Sequence, residues 1–128
     1  PGSLDVIELD AATHGLVDDA RDLRDKAFFA PVNSKYKIYI IDEAHQLGPG
    51  AANALLKVVE EPPPHVIFIF ATTEPEKLIA TIRSRTHHYP FRLVSAKNLA
   101  EHLALICERE GIKADPATLR LFFSSGYY

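Results

Sequence analysis

A single cysteine in 128 residues excludes a disulfide within the chain and any zinc site built on clustered cysteines, and it fits a reducing compartment. Methionine is absent altogether, and Pro1-Gly2-Ser3 at the start reads as a cloning scar. No apolar run approaches the ~18 residues of a membrane-spanning helix, and no signal peptide is visible. The formal charge of −3 excludes the strong overall basic bias of many nucleic-acid binders. The glycines (Gly2, Gly15, Gly48, Gly50, Gly111 and Gly126) have neither the spacing nor the following lysine of a phosphate-cradling G-x-x-x-x-G-K-[ST] loop. What is present is an ordinary globular composition, 47% hydrophobic and 24% charged, which excludes wholesale disorder. The length suits one domain, or a domain with part of a second.

Asp5-Val6-Ile7-Glu8-Leu9 is a β-rich run ended by a turn cluster from Asp10 to Gly15. Val17, Ala20, Leu23 and Ala27 then recur at helical spacing among charges, with Asp22 and Lys26 a favourable i, i+4 pair, until Ala30 to Ser34 breaks the pattern. Lys37 to Ile41 and Val66 to Ala71 are nearly continuous apolar runs, the pattern of strands covered on both faces. Between them Ala51 to Glu61 reads as a helix with the stripe Ala54, Leu55, Val58 and Val59, stopped by Pro62-Pro63-Pro64. A short helix around Glu76 to Arg83 and a brief strand from His88 to Phe91 follow. After that the pattern is helical only. Ser95 caps a helix with the stripe Leu99, Leu103 and Ile106 that ends at Gly111, and Asp115-Pro116 opens another with Leu119 and Phe122. Strands alternating with helices predict an open, mainly parallel α/β sheet, and the helices after it predict the start of a separate small domain.

Asp42-Glu43 directly follows the run Lys37 to Ile41, and ligand sites of open α/β sheets lie beyond the carboxyl ends of the strands. One carboxylate there can hold Mg²⁺, whose octahedron is otherwise filled by phosphate oxygens and water, while the other acts on a water. An acidic helix start would also account for the pair. Thr72-Thr73 ends the run Val66 to Ala71. If the two strands are neighbours, a hydroxyl lies near the acids and can bond a γ-phosphate or the attacking water; a cap on the next turn explains the threonines equally. From Lys77 to Lys97 there are five basic residues and no acid, whereas Asp5 to Asp25 holds seven acids and two arginines. That asymmetry fits a head-to-tail interface or a phosphate partner, and also an ordinary solvated face. His87 and His88 alternate faces on a strand and make poor joint metal ligands. Cys107, on the apolar side of a helix, reads as core.

Ile40-Ile41-Asp42-Glu43-Ala44-His45 has the form of a Walker B motif with a DEAH ending. With it come Val6 to Ala12, Asp18 to Asp25 (DDARDLRD), Lys37 to His45 (KIYIIDEAH), Asn53 to Pro63 (NALLKVVEEPP), Phe70 to Lys77 (FATTEPEK) and Thr81 to Thr86 (TIRSRT). In order and spacing, over about Leu4 to Leu93, these stretches resemble the gamma/tau family of bacterial DNA polymerase III subunits, the AAA+ ATPase motors of the sliding-clamp loader.

The resemblance implies a partial AAA+ P-loop NTPase parallel sheet lacking its first strand, with residues 4–93 the C-terminal part of the ATPase core and residues 94–128 the start of a helical lid domain. It implies that Asp42 holds Mg²⁺ through its shell, that Glu43 polarises the attacking water, and that Thr73, with Thr72 as second choice, is the sensor-1 residue. The family's Ser-Arg-Cys motif falls on Ser84-Arg85-Thr86. Arg85 is then an arginine finger reaching a neighbouring subunit's ATP site. ATP and Mg²⁺ are the cofactors implied for the parent protein, a cytoplasmic subunit at the bacterial replisome. Its implied partners are delta, delta-prime and other gamma/tau subunits, the sliding clamp and primer-template DNA, with no membrane. DNA contact is expected through backbone phosphates, with Lys57 and the basic run as candidates. The family's Walker A loop and sensor-2 arginine are missing from these residues, so the fragment is expected to bind no ATP and to be inactive alone. The missing strand predicts an unpaired apolar edge on Val66 to Ala71 and self-association through it. The alternatives are a non-hydrolysing delta-prime-type stator and, further off, a DEAH-type helicase; the intact Asp42-Glu43 pair favours the motor.

Overall fold

The computed structural model describes residues 4–14 and 17–124, the side chains of 122–124 excepted. The scar at Pro1 to Ser3, Gly15 of the turn cluster and the Phe122 side chain of the last stripe lie outside the described residues. The chain divides into two compact units, Pro1–His88 and Tyr89–Tyr128.

In the first unit β1 (Val6–Asp10), α1 (Ala11–His14), α2 (Val17–Ala27), β2 (Lys37–Asp42), a 3₁₀ turn (Ala44–Gln46), α3 (Pro49–Glu60), β3 (Val66–Phe70), a second 3₁₀ turn (Pro75–Lys77) and α4 (Ala80–Ser84) follow in order. The three strands form one parallel sheet in the order β1-β2-β3. Register aligns Ile7, Tyr39 and Phe68 in one row and Leu9, Ile41 and Phe70 in the next. These two rows share a core with Ala20, Leu23 and Ala27 of α2 and Ala51, Leu55 and Val58 of α3. Helix α3 starts on Pro49, whose missing N–H costs nothing in a first turn, and stops before the three prolines. Gly50 is needed because a Cβ there would lie 2.7 Å from Val17 Cγ2, where α3 begins beside α2.

The sheet's other face carries the rows Val6, Ile38, Ile67 and Glu8, Ile40, Ile69. The pattern predicts β3 covered on both faces, but Ile67 and Ile69 are 40% and 47% exposed. The reason is that α2 and α3 both pack into the core on the first face. Three further expectations need correcting. The turn cluster from Asp10 contains α1, started by the Asp10 carboxylate accepting the Ala12 N–H at 2.9 Å. The helix expected around Glu76 to Arg83 is split into a 3₁₀ turn and α4. No strand forms at His88 to Phe91, where the chain is irregular and exposed and Pro90 removes a ladder donor.

In the second unit α5 (Ala96–Arg109) and α6 (Pro116–Ser124) pack together. Ser95 Oγ accepts the Asn98 N–H at 3.2 Å, and Asp115 Oδ1 accepts the Ala117 N–H at 3.1 Å, so both predicted caps are made. Gly111 (φ 69°) turns the chain out of α5: the Ile112 N–H donates to the Cys107 carbonyl at 2.8 Å and the Gly111 N–H to the Glu108 carbonyl at 3.2 Å. That bond pair closes a Schellman motif, which needs the left-handed conformation glycine tolerates. No described helix is long and apolar enough to cross a membrane.

Candidate active site

Parallel strands point their carboxyl ends to one edge of the sheet, and here that edge collects Asp10, Asp42 and the residues after β3. Asp42 closes β2 and is exposed; its Oδ1 accepts the N–H of Glu43 at 2.9 Å. Glu43 is the one non-glycine residue with a positive φ among those described (φ 51°, ψ 42°). A side chain in that left-handed region costs conformational energy, and such residues concentrate at functional sites. The chain leaving β2 is then clamped to β3: the Ala71 N–H donates to the Ile41 carbonyl at 2.9 Å and the Ala44 N–H to the Ala71 carbonyl at 3.0 Å.

His45 occupies the centre of this edge with its side chain only 6% exposed. Its Nδ1 lies 2.7 Å from Thr72 Oγ1. Its Nε2 faces Glu43 Oε2 at 3.4 Å and Glu74 Oε2 at 3.3 Å. Thr72 Oγ1 also accepts the Glu74 N–H at 3.0 Å. Lys77 Nζ lies 2.6 Å from Glu74 Oε1; this bond holds the Glu74 carboxyl below its ordinary value, with the charge of Lys77 adding to it, and it raises Lys77 in turn.

The structure therefore brings Asp42, Glu43 and Thr72 to one edge. Thr73 is exposed beside them, and no hydrogen bond ties its hydroxyl among the described residues. Arg85 is not brought to the acids. It caps α4, exposed, with its N–H donating to the Ile82 carbonyl at 3.1 Å, and Ile82 is fully buried beneath it. Ser84 and Thr86 turn their hydroxyls back onto the helix, to the carbonyls of Thr81 and Ile82. Lys57 and Arg83 are exposed on α3 and α4. Sequence reasoning missed His45, Glu74 and Lys77 as a cluster. The DEAH letters held the signal for His45, whereas Glu74 and Lys77 acquire meaning only once β3 is placed next to β2.

Among the described residues no group of three or more His, Cys, Asp or Glu side chains could hold a metal ion. The single exposed carboxylate of Asp42 fits Mg²⁺ that draws its remaining ligands from phosphates and water, and does not fit a metal held by protein alone.

The chain is 61% identical over 98% of its length to the DNA polymerase III subunit gamma/tau of Mycobacterium tuberculosis, of which it spans 22%. The expected resemblance to gamma/tau subunits is thereby borne out. Among solved structures, a DNA polymerase III gamma subunit-related protein of Thermotoga maritima superposes with a TM-score of 0.69 at 27% identity, covering 85% of this chain and 38% of that one. The Holliday junction branch migration motor RuvB of Thermotoga maritima gives a TM-score of 0.70 at 16% identity over 90% of this chain and 38% of its own, a likeness of fold. The parallel sheet with its helices is thus of the AAA+ type. The family model described as DNA polymerase III, delta subunit, matches residues 4–95, and the chain belongs to that family.

Proposed function

We propose that this chain is the water-activating and neighbour-facing part of a clamp-loader motor subunit, whose whole protein uses ATP to load a sliding clamp on primed DNA within DNA polymerase III. The observation that carries this reading is the joining of Glu43 to the end of β3 through His45, beside the exposed Asp42. In that reading Asp42 holds Mg²⁺, which, when bound with ATP, neutralises charge on the phosphates. Glu43 accepts a hydrogen bond from the attacking water and aims it. Thr73 donates to the phosphate or the water; its exposed hydroxyl supports it over Thr72, whose oxygen is already engaged. Arg85, exposed beyond a helix anchored by buried Ile82, suits a finger aimed at a neighbouring subunit. The chain spans about a fifth of the relative's length, and its sequence has no G-x-x-x-x-G-K-[ST] motif. In this reading the phosphate-cradling loop is supplied by the rest of the whole protein.

The test is the full-length protein in its assembled complex. Glu43→Gln is expected to keep ATP binding and lose hydrolysis, and Asp42→Asn to weaken Mg-dependent ATP binding. The delta-subunit description of the matching family favours, as a second reading, a subunit that does not hydrolyse ATP. Wild-type protein that binds ATP without turning it over, alone or assembled, would decide for that stator.

A further inference from the structure

We propose that His45 is a positioning residue whose ring bridges Glu43 and Thr72, bonded to the Thr72 hydroxyl on one side and facing the Glu43 carboxylate on the other, so that the carboxylate after β2 and the loop after β3 move together. The proposal rests on the role given to Glu43 above. It begins with which ring nitrogen carries the proton. Carboxylates only accept, and two of them face Nε2, at 3.4 Å from Glu43 and 3.3 Å from Glu74. Nε2 therefore bears the hydrogen. In the neutral ring Nδ1 is then an acceptor, so across the 2.7 Å contact the Thr72 hydroxyl donates. The Gln46 amide, 3.5 Å from Nε2, must accordingly present its oxygen to the ring.

With the ring neutral, Thr72 is fully used: its proton goes to His45 and its oxygen accepts the Glu74 N–H. It has no proton left for a phosphate, and Thr73 is the hydroxyl free to meet one. His45 touches no reacting atom itself. Its buried ring lies 3.4 Å from the Glu43 carboxylate, which springs from a left-handed backbone and stays partly exposed, and so limits where that carboxylate can swing. A change at Thr73 reaches Glu43 through Thr72 and the imidazole.

Three variants of the full-length protein in its complex separate the arms. Thr72→Val keeps the shape and removes the hydroxyl; His45→Gln keeps a donor near the Nε2 position; His45→Asn keeps an acceptor near Nδ1. Each is expected to lower kcat for ATP hydrolysis on the order of 10- to 100-fold with little change in KM. Thr72→Val combined with His45→Gln should cost no more than the larger single effect. Nitrogen-15 spectra of labelled histidine should show His45 protonated at Nε2 and not at Nδ1 in nucleotide-free wild-type protein, with the Nδ1 resonance shifted in Thr72→Val, which removes the donor to that nitrogen. A proton on Nδ1 in the neutral ring, additive effects, or unchanged kcat in folded Thr72→Val would overturn the proposal. Glu43→Gln serves as control: if it keeps wild-type hydrolysis the functional reading fails, and if it abolishes hydrolysis while Thr72→Val does nothing, only the coupling fails.

Discussion

Asp5 Oδ2 accepts the backbone N–H of Ser34 at 2.7 Å, tying the residue before β1 to the loop before β2. Its carboxylate also takes the N–H of Val32 at 2.6 Å and of Asn33 at 2.8 Å. The side chain is buried, and those donors, Val32 first, hold its pKa below the ordinary carboxylate value against the opposing effect of burial. A folded-state value below the unfolded one contributes stability that is present above the unfolded value, about 3.9, and disappears as pH falls through the folded value. Asp5→Asn, which turns an amide NH₂ toward N–H donors, should lower Tm at neutral pH by several degrees. It should also flatten the loss of stability as pH falls below about 4. Thermal unfolding across that range checks both; an unchanged acid limb would discount Asp5.

The left-handed Glu43 makes a separate prediction. Glycine adopts φ 51° without strain, so Glu43→Gly should leave stability unchanged or raise it by up to about 1 kcal/mol in urea unfolding. The same variant should lose ATP hydrolysis in the assembled protein. Lower stability together with retained hydrolysis would mean that the strained carboxylate serves structure instead.

Arg85→Ala should leave a subunit's own nucleotide binding intact and reduce hydrolysis in the assembled loader by roughly 10³-fold or more. Arg85→Lys should not restore it, because an ammonium lacks the planar fork of the guanidinium. Mixing variant and wild-type subunits locates the defect: it should appear in the wild-type copy that receives the missing finger. Unchanged hydrolysis would remove Arg85 from the mechanism.

The 128-residue chain on its own should self-associate in light scattering at rising concentration, because β3 is an edge strand with Ile67 and Ile69 exposed on the open face. Replacing both by lysine should shift the distribution toward monomer without unfolding the core on the other face. A monodisperse wild-type monomer would show that the face is not adhesive.

Much of the fold is legible because it is local. Three prolines end α3, Ser95 and Asp115 cap their helices, and the runs around Tyr39 and Phe68 are short and apolar enough to read as strands, though the second is covered on one face only. The acids after β2 are likewise visible as a motif. What stayed hidden depends on distance along the chain. Asp5 reads as the start of a strand until the loop at 32–34 folds over it, and His45 shows its purpose only when Thr72, 27 residues later, lies beside it. The strand read at His88 to Phe91 has the right composition, but composition does not provide a ladder partner.

Every pairing in the sheet is parallel, Val6 with Ile38 and Ile38 with Ile67, so each joins residues roughly thirty apart. No hairpin can begin this sheet. Loop closure must come before any strand is rewarded, which makes the crossovers the slow part of folding and leaves α2 and α3 to form from local contacts first. On a ribosome, β1 leaves the exit tunnel before β2, and its ladder with β2 cannot close until Asp42 has followed it out.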